Sequence, residues 1–285
     1  MTIVITGATG HLGRLTVDHL LARGVPASDI LATGRNAEKL AELADAGVRT
    51  AVVDFSDPAT LDAAFTGADA IAFISSSEVG SRQPQHANVV AAAARAKVGL
   101  LVYTSAPKAT DTALILAPDH KFTEEAIAEA GIPSVILRNG WYHENYGQSF
   151  AQAAATGHYV ASTGEGRVAS AARSDYAEAI AVALTEAGHA GSVYELSGDT
   201  AWDGTEFAAL ASEVVGREIV FDSVSPEEHL AILTSAGLDE GTAGFLVALD
   251  GNIRDGLLGE TSGDLGRLIG HPTQPLVDYF RSIAE

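Results

Sequence analysis

Thr6-Gly7-Ala8-Thr9-Gly10-His11-Leu12-Gly13 is the stretch on which the reading of this chain turns. It follows the apolar run Ile3-Val4-Ile5 directly and opens an amphipathic segment at His11. A short β-branched run reads as a buried strand, and the segment beyond the glycines reads as a helix. Gly7 allows a tight turn, Gly10 lets main-chain amides approach an anion, and Gly13 lets the helix pack closely on the strand. The helix start then directs unsatisfied N–H groups and a partial positive charge at that anion. A plain structural glycine turn is the competing reading, but this one sits between a strand and a helix. No Gly-Lys-Ser/Thr follows, so it is not a Walker loop.

Working outward, short apolar runs alternate with longer amphipathic ones. The pattern predicts strands at 3–5, 30–33, 50–53, 70–74, 100–104 and 134–137, with helices near 11–23, 36–46, 58–65, 84–97 and 119–130. Strand and helix in strict alternation imply an α/β, Rossmann-type, doubly wound parallel sheet. Beyond residue 140 the rhythm changes. A helix is expected over 141–156, then a turn at Gly164-Glu165-Gly166 and a strand at 193–196. Asp175 with Glu178, Asp203 with Glu206, and Ser225 with Glu228 have the spacing of capping boxes, the first opening a helix to about 187. Mostly short helices, punctuated by Gly and Pro, are expected over 239–285. The domains expected are 1–149, an NADP-binding Rossmann domain to which 166–198 returns, and a smaller, mainly helical, substrate-covering domain from 150–165 and 199–285.

The end of the second strand bears on which dinucleotide is held. An NAD-binding chain usually has Asp or Glu there to accept the ribose 2′-hydroxyl. This chain reads Ala32-Thr33-Gly34-Arg35-Asn36, with no acid and with an arginine suited to a 2′-phosphate. A solvated loop arginine is the other reading, yet the missing acid and the present base both favour NADPH. Asp54 and Phe55 after the third strand are expected to border the adenine. Ser75, Ser76 and Ser77 after the fourth are expected along the cofactor's path.

Composition narrows the function classes. A 47% hydrophobic, 19% charged chain of 285 residues can build a packed core. A net charge of −20 repels phosphate backbones and disfavours nucleic acid. The absence of cysteine rules out disulfides, thiol nucleophiles and cysteine-ligated metals. Nine histidines occur without His-Glu-x-x-His or His-x-His spacing, so no metal is expected. No Gly-x-Ser-x-Gly elbow suggests a hydrolase. Met1 runs into the first strand without a basic leader, and the apolar stretch 89–102 is broken by Arg95 and Lys97. A soluble cytoplasmic protein without membrane contact is the expectation.

Further motifs carry a resemblance. They are Ser75-Ser76-Ser77-Glu78-Val79-Gly80 with Pro84-Gln85-His86, then Tyr103-Thr104-Ser105, then Ala117-Pro118-Asp119-His120 with Thr123-Glu124. Beyond them come Leu137-Arg138-Asn139-Gly140-Trp141-Tyr142 with Glu144-Asn145-Tyr146, and Val193-Tyr194-Glu195-Leu196 with Trp202. With the opening glycine loop, these make the chain resemble the NmrA-like atypical short-chain dehydrogenases. Within that group it looks most like type 2 NAD(P)H:quinone oxidoreductases. The resemblance implies a flavin-independent reductase passing hydride from NADPH to a quinone. It also implies that Thr6, Gly7, Gly10, His11, Leu12 and Gly13, with Arg35, hold the phosphates, and that Asn139, Gly140, Trp141 and Tyr142 line the nicotinamide and substrate pocket.

Departures from the ordinary short-chain pattern matter for mechanism. Pro107 stands four residues after Tyr103, so the Tyr-x-x-x-Lys dyad is missing. Where related reductases carry a lysine, this chain has His120. A reduced quinone oxygen is a stable phenolate-like anion that solvent can protonate, so a strong acid is not obligatory. His120 is expected to orient the nicotinamide ribose or donate a proton, or else to cap a helix. Ser105 is expected to donate to the acceptor oxygen, or else to be a cap or turn serine. Trp141 and Tyr142 are stacking walls or plain core, and Asn139 meets the carboxamide. Arg173 reaches cofactor or substrate, or pairs with surface acids. Partners are then a small aromatic or quinone substrate, with self-association into a homo-oligomer left open. Reduction of another conjugated acceptor (dye, imine or enone) and non-catalytic sensing of NADP remain as alternatives.

Overall fold

Apolar runs of three to six residues form the central sheet. In the computed structural model, which describes residues 1–284 apart from Ser77 and Val79, the chain begins β1 (Ile3–Ile5), α1 (His11–Ala22), β2 (Ile30–Gly34), α2 (Ala37–Asp45), β3 (Arg49–Val52) and α3 (Pro58–Phe65). It continues with β4 (Ala70–Phe73), α4 (Arg82–Ala96), β5 (Leu100–Ser105), α5 (Ala117–Glu129) and β6 (Ser134–Asn139). Next come β7 (Trp141–Tyr142), α6 (Gly147–Thr156), β8 (His158–Ala161), β9 (Ser170–Ala171), α7 (Arg173–Thr185) and β10 (Val193–Leu196). The chain ends with α8 (Gly204–Val215), β11 (Val220–Ser223), α9 (Pro226–Ser235), α10 (Glu240–Arg254), α11 (Asp264–Ile269) and α12 (Leu276–Ala284). The cofactor-path role expected of Ser77, and the place of Val79 in the resemblance, fall outside the described residues.

Two compact units result. The first comprises Met1–Thr110, Leu116–Asn139 and Arg173–Leu196. Its strands lie in the order β10-β6-β5-β4-β1-β2-β3, with every neighbouring pair parallel. This bears out the doubly wound parallel sheet. Ile3 pairs with Ile30 on one side and Ala70 on the other, so the strand order reverses about β1 and β4. Ligands bind at the carboxyl ends of strands at such a reversal. Ile3, Val4 and Ile5 are fully buried, as are Phe65, Phe73 and Tyr103. Side chains fix the helix starts: Asn36 accepts from the Lys39 amide at 3.0 Å and Asp57 from the Ala59 amide at 3.0 Å, with Pro58 at the first helical position.

The second unit comprises Asp111–Ile115, Gly140–Ala172 and the chain from Ser197 on. It holds two small parallel sheets, β8 with β11 and β7 with β9. An aromatic cluster supplies its core, with Tyr159 stacked on Phe207 at 3.9 Å, Phe150 on Phe280 at 4.5 Å, and Trp202 edge-on to Tyr146 at 4.6 Å. The capping boxes at Asp203/Glu206 and Ser225/Glu228 are formed with both hydrogen bonds each.

The elements of the first half agree with expectation to within about two residues, and the second half required corrections. The helix expected over 141–156 begins only at Gly147, because Trp141 and Tyr142 pair as a strand with Ser170 and Ala171. Two aromatic residues suit a pleated surface, and long-range pairing overrides the helical periodicity there. Asp175 and Glu178 form no box opening a helix: α7 begins at Arg173, which puts Asp175 inside the first turn. A three-residue acid spacing occurs within helices as readily as at their starts. After 239 the helices are mostly short, as expected: α11 has 6 residues and α12 has 9, beside the 15 of α10. Strands β8 and β11 were not foreseen. Among the described residues no helix is long and apolar enough to cross a membrane.

Phe73 sits at the centre of the first unit, with ring contacts to Phe55, His86 and Tyr103 at 5.9, 4.8 and 5.0 Å. Phe73→Ala should destabilise the protein by about 3–5 kcal/mol, the cost of a buried cavity. Urea unfolding checks this, and a loss below about 1 kcal/mol would show that the core collapses around the gap.

Candidate functional site

At the carboxyl end of β1 the chain turns with Gly7 at φ +62°, a conformation that favours glycine. A Cβ on Gly13 would stand 2.3 Å from the Gly7 carbonyl oxygen and 2.7 Å from Ala8 Cα, so only hydrogen fits there. The loop is braced by Ala8 N–H donating to the Thr33 carbonyl at 2.8 Å and Gly10 N–H to the Gly7 carbonyl at 2.9 Å. Helix α1 starts from Gly10 with no side-chain cap and no acid in its first turn. Amide donors of that turn are therefore uncapped by any side chain, which fits an anion such as a pyrophosphate. Leu12 is buried and His11 exposed. Thr6 is wholly buried; its hydroxyl donates to the Ala72 carbonyl at 3.1 Å and accepts from the Ile74 amide at 3.0 Å, tying β1 to β4.

Arg35 follows β2 immediately and is largely exposed. Its Nη1 pairs with Glu78 Oε1. The expectation that no carboxylate is at hand there is corrected by this contact: an acid from the segment after β4 reaches the end of β2. After β3, Asp54 Oδ1 accepts from the Ser56 amide at 2.8 Å, and the Phe55 carbonyl accepts from Asn88 Nδ2 at 2.9 Å.

Beyond β4 the backbone is held by side chains from the next elements. Ser75 N–H donates to Thr104 Oγ1 at 2.9 Å, and Ser76 N–H donates to His86 Nε2 at 3.1 Å. Because His86 accepts at Nε2, its proton lies on Nδ1, which donates to Thr123 Oγ1 at 2.8 Å; Thr123 passes its own to the Asp119 carbonyl at 2.8 Å. Burial, with the nearby charges of His120 and Arg82, pushes the His86 pKa down to about 3.

Tyr103 lacks a lysine four residues on but has found a different partner: its hydroxyl is 2.8 Å from His120 Nδ1. Burial pushes the His120 pKa down to about 3, with Arg82 adding to the effect, and pushes the Tyr103 phenol up. Both groups are neutral at pH 7. A neutral ring held against a hydroxyl suits the orienting role, one of the two chemical roles expected of His120.

Ser105, expected to donate to an acceptor oxygen, donates instead to Glu124 Oε1 at 2.5 Å. Glu124 also receives two hydrogen bonds from Arg138, at 3.0 and 2.6 Å, and Arg138 reaches Glu195 at 2.8 Å. These bonds hold the guanidinium firmly charged and join β5, α5, β6 and β10. Asn139 is buried at the end of β6, and Arg173 opens α7 half-buried.

In the second unit Gly140 is followed by half-buried Trp141 and Tyr142. Strand β9, on which they pair, is pinned by Ser170, whose Oγ accepts from the Trp202 indole at 2.8 Å and donates to His143 Nδ1 at 2.8 Å. His143 Nε2 then donates to the Gln274 carbonyl at 2.8 Å.

Thus Thr6, the glycine loop, Arg35, Asp54, Ser75, Ser76, Ser105 and Asn139 all fall at or just beyond the carboxyl ends of parallel strands in one sheet. The sequence gives no role to Glu78, His86 or Arg138 and reads the Glu124-Glu125 pair as acids at a helix start, facing its dipole, whereas Glu124 lies midway along α5. The only signal for them was their presence in the specific motifs after β4 and in α5 and β6.

Residues 7–187 match the NAD(P)H-binding family. The chain belongs to that family, in its NmrA-like branch. Quinone oxidoreductase 2 of Escherichia coli K12 is 43% identical over 97% of this chain and 96% of its own length. A crystal structure of the Escherichia coli NADPH-dependent quinone oxidoreductase complexed with NADPH covers 100% of both chains at 42% identity with a TM-score of 0.96. The Citrobacter sp. triphenylmethane reductase complexed with NADP(H) covers 99% of this chain and 100% of its own at 38% identity and 0.95. These likenesses extend the family membership to the whole chain.

The buried imidazoles make an acid-stability prediction. A histidine at about 3 in the fold and at its ordinary 6.5 when unfolded binds its proton first in the unfolded chain. Its contribution is therefore complete above pH 6.5 and is lost as the pH falls toward 3. At pH 5 each of His86 and His120 should withdraw roughly 2 kcal/mol. Urea midpoints at pH 7 and 5 measure the loss, and the double variant His86→Gln/His120→Gln should flatten it. An equal slope in that variant would place the acid sensitivity elsewhere.

Proposed function

We propose that this protein is a flavin-independent NADPH:quinone oxidoreductase. The observation that carries the reading is its full-length likeness to a quinone oxidoreductase whose crystal structure holds NADPH. The amides between Gly7 and Gly13 hold the pyrophosphate, assisted by the α1 dipole. Arg35 holds the 2′-phosphate, while Asp54 and Phe55 border the adenine. Ser75 and Ser76 follow the cofactor's path, held by Thr104 and His86. Asn139 meets the carboxamide, and Arg173 assists from the start of α7. NADPH supplies a hydride, and solvent supplies the proton that completes the hydroquinone.

Tyr103 and His120 remain neutral and serve to orient hydroxyl groups, not to transfer protons. The Glu124–Arg138 network occupies Ser105 and gives it a positioning role. Trp141, Tyr142 and the second unit are assigned to the substrate, because flat rings stack on flat rings. A phenolate-like anion waits for a solvent proton, so no acid with a pKa near 7 is required. A reductase that consumes NADPH needs a compartment that regenerates it, and we place the protein in the cytoplasm.

A second reading, reduction of another conjugated acceptor, is favoured by the likeness to a triphenylmethane reductase. Purified protein with NADPH and 1,4-benzoquinone should consume the reduced cofactor over many turnovers, followed by its absorbance. Turnover with a triarylmethane dye and none with quinone would replace the first reading by the second. Binding without consumption of either would make the protein a sensor.

Arg35→Ala should weaken NADPH binding about tenfold or more, the worth of a charge-assisted phosphate contact, and leave NADH within about twofold. Equal losses for the two, read by fluorescence titration, would remove Arg35 from the 2′-phosphate.

A further inference from the structure

The second strand ends without an acid in the sequence, yet folding delivers one. Glu78 lies in the segment after β4 and pairs through Oε1 with Arg35 Nη1. Its other oxygen, Oε2, accepts a hydrogen bond from Gln85 Nε2 at 2.7 Å. Gln85 is only 7% exposed, in the first turn of α4, and the next residue, His86, holds the Ser76 amide. Glu78 is about one-third exposed, yet both of its oxygens are engaged. One oxygen is anchored on a buried amide and the other on the arginine. Those two hydrogen bonds hold its carboxyl below the usual range, against the opposing charge of Asp54, so it is ionised at neutral pH.

We propose that Glu78 tunes the choice between NADPH and NADH, sharing Arg35 with the 2′-phosphate of the first and offering an acceptor to the ribose 2′-hydroxyl of the second. The proposal rests on the reading that Arg35 holds the 2′-phosphate. A guanidinium presents five N–H donors, and the Glu78 pair uses one nitrogen, so a phosphate can still be taken on another. Two anions bridged by one guanidinium sit about 5–6 Å apart. A carboxylate and a nearly doubly charged phosphate at that separation repel enough to cost roughly three- to tenfold in affinity, less as salt is added. NADH lacks that phosphate and is spared the repulsion. Arg35 thus raises the preference for NADPH, and Glu78 lowers it.

The test is to titrate NADPH and NADH separately, by tryptophan fluorescence or calorimetry, into the wild type, Glu78→Gln, Glu78→Asp and Arg35→Ala, at low and at physiological salt. Glu78→Gln keeps the shape and removes the charge. It should bind NADPH roughly three- to tenfold tighter at low salt, with NADH no tighter, and the gain should shrink as salt rises. Glu78→Asp retains the charge and should show no such gain. Weaker NADPH binding by Glu78→Gln, an equal shift for both cofactors, or the same gain from Glu78→Asp would overturn the proposal. Unchanged urea midpoints confirm that both variants fold. If Arg35→Ala discriminates between the cofactors while Glu78→Gln changes neither, the Glu78 proposal alone fails. If Arg35→Ala weakens both cofactors alike, the 2′-phosphate reading itself fails.

Discussion

The contact between Gly13 and the Gly7–Ala8 backbone governs where much of the first unit can lie. With no side chain at 13, the first turn of α1 rests on the chain that leaves β1, and its amides point over the carboxyl end of the sheet. That placement carries further. Helix α1 lies beside α7, with His19 Nε2 2.9 Å from Ser174 Oγ and Arg23 Nε donating to Thr185 Oγ1 at 3.1 Å. The close approach that makes an anion cradle also sets the start of α7 and so the position of Arg173. A methyl group at 13 would disturb both.

Around the neighbouring strand ends the fold accepts a chemical restriction. His86, His120 and Tyr103 are buried together, and burial strips the histidines of charge and keeps the phenol protonated. A site built this way is good at holding fixed hydrogen-bond directions. Reduction of a conjugated ring system is compatible with it, because the electron pair delivered is delocalised and the proton can arrive later. A simple ketone would leave an alkoxide needing an acid at once. The missing Tyr-x-x-x-Lys dyad and the neutral histidines are thus two aspects of one arrangement.

Legibility differed between the halves for a physical reason. Strands β1, β2, β4, β5 and β6 are largely buried in a sheet with crossover helices, so each announces itself as a short run rich in apolar residues, while β3 lies at the sheet edge and is partly exposed. The caps at Asp203 and Ser225 were equally readable, being local hydrogen bonds over three residues. Strands β7, β8, β9 and β11 have two to four residues each and exist only because a distant partner completes them. Trp141 and Tyr142 fit a helical pattern until Ser170 and Ala171 claim them.

The candidate site divides along the same line. The sequence by itself determined the glycine cradle, the arginine after β2 and the parallel order of units, because each depends on residues adjacent in the chain. Only the tertiary structure decided that Arg35 meets Glu78, that Tyr103 takes His120 as its partner, and that Ser105 donates a hydrogen bond to Glu124. Those pairings join residues from different crossovers, and strand order in the sheet, not spacing along the chain, sets which ends become neighbours.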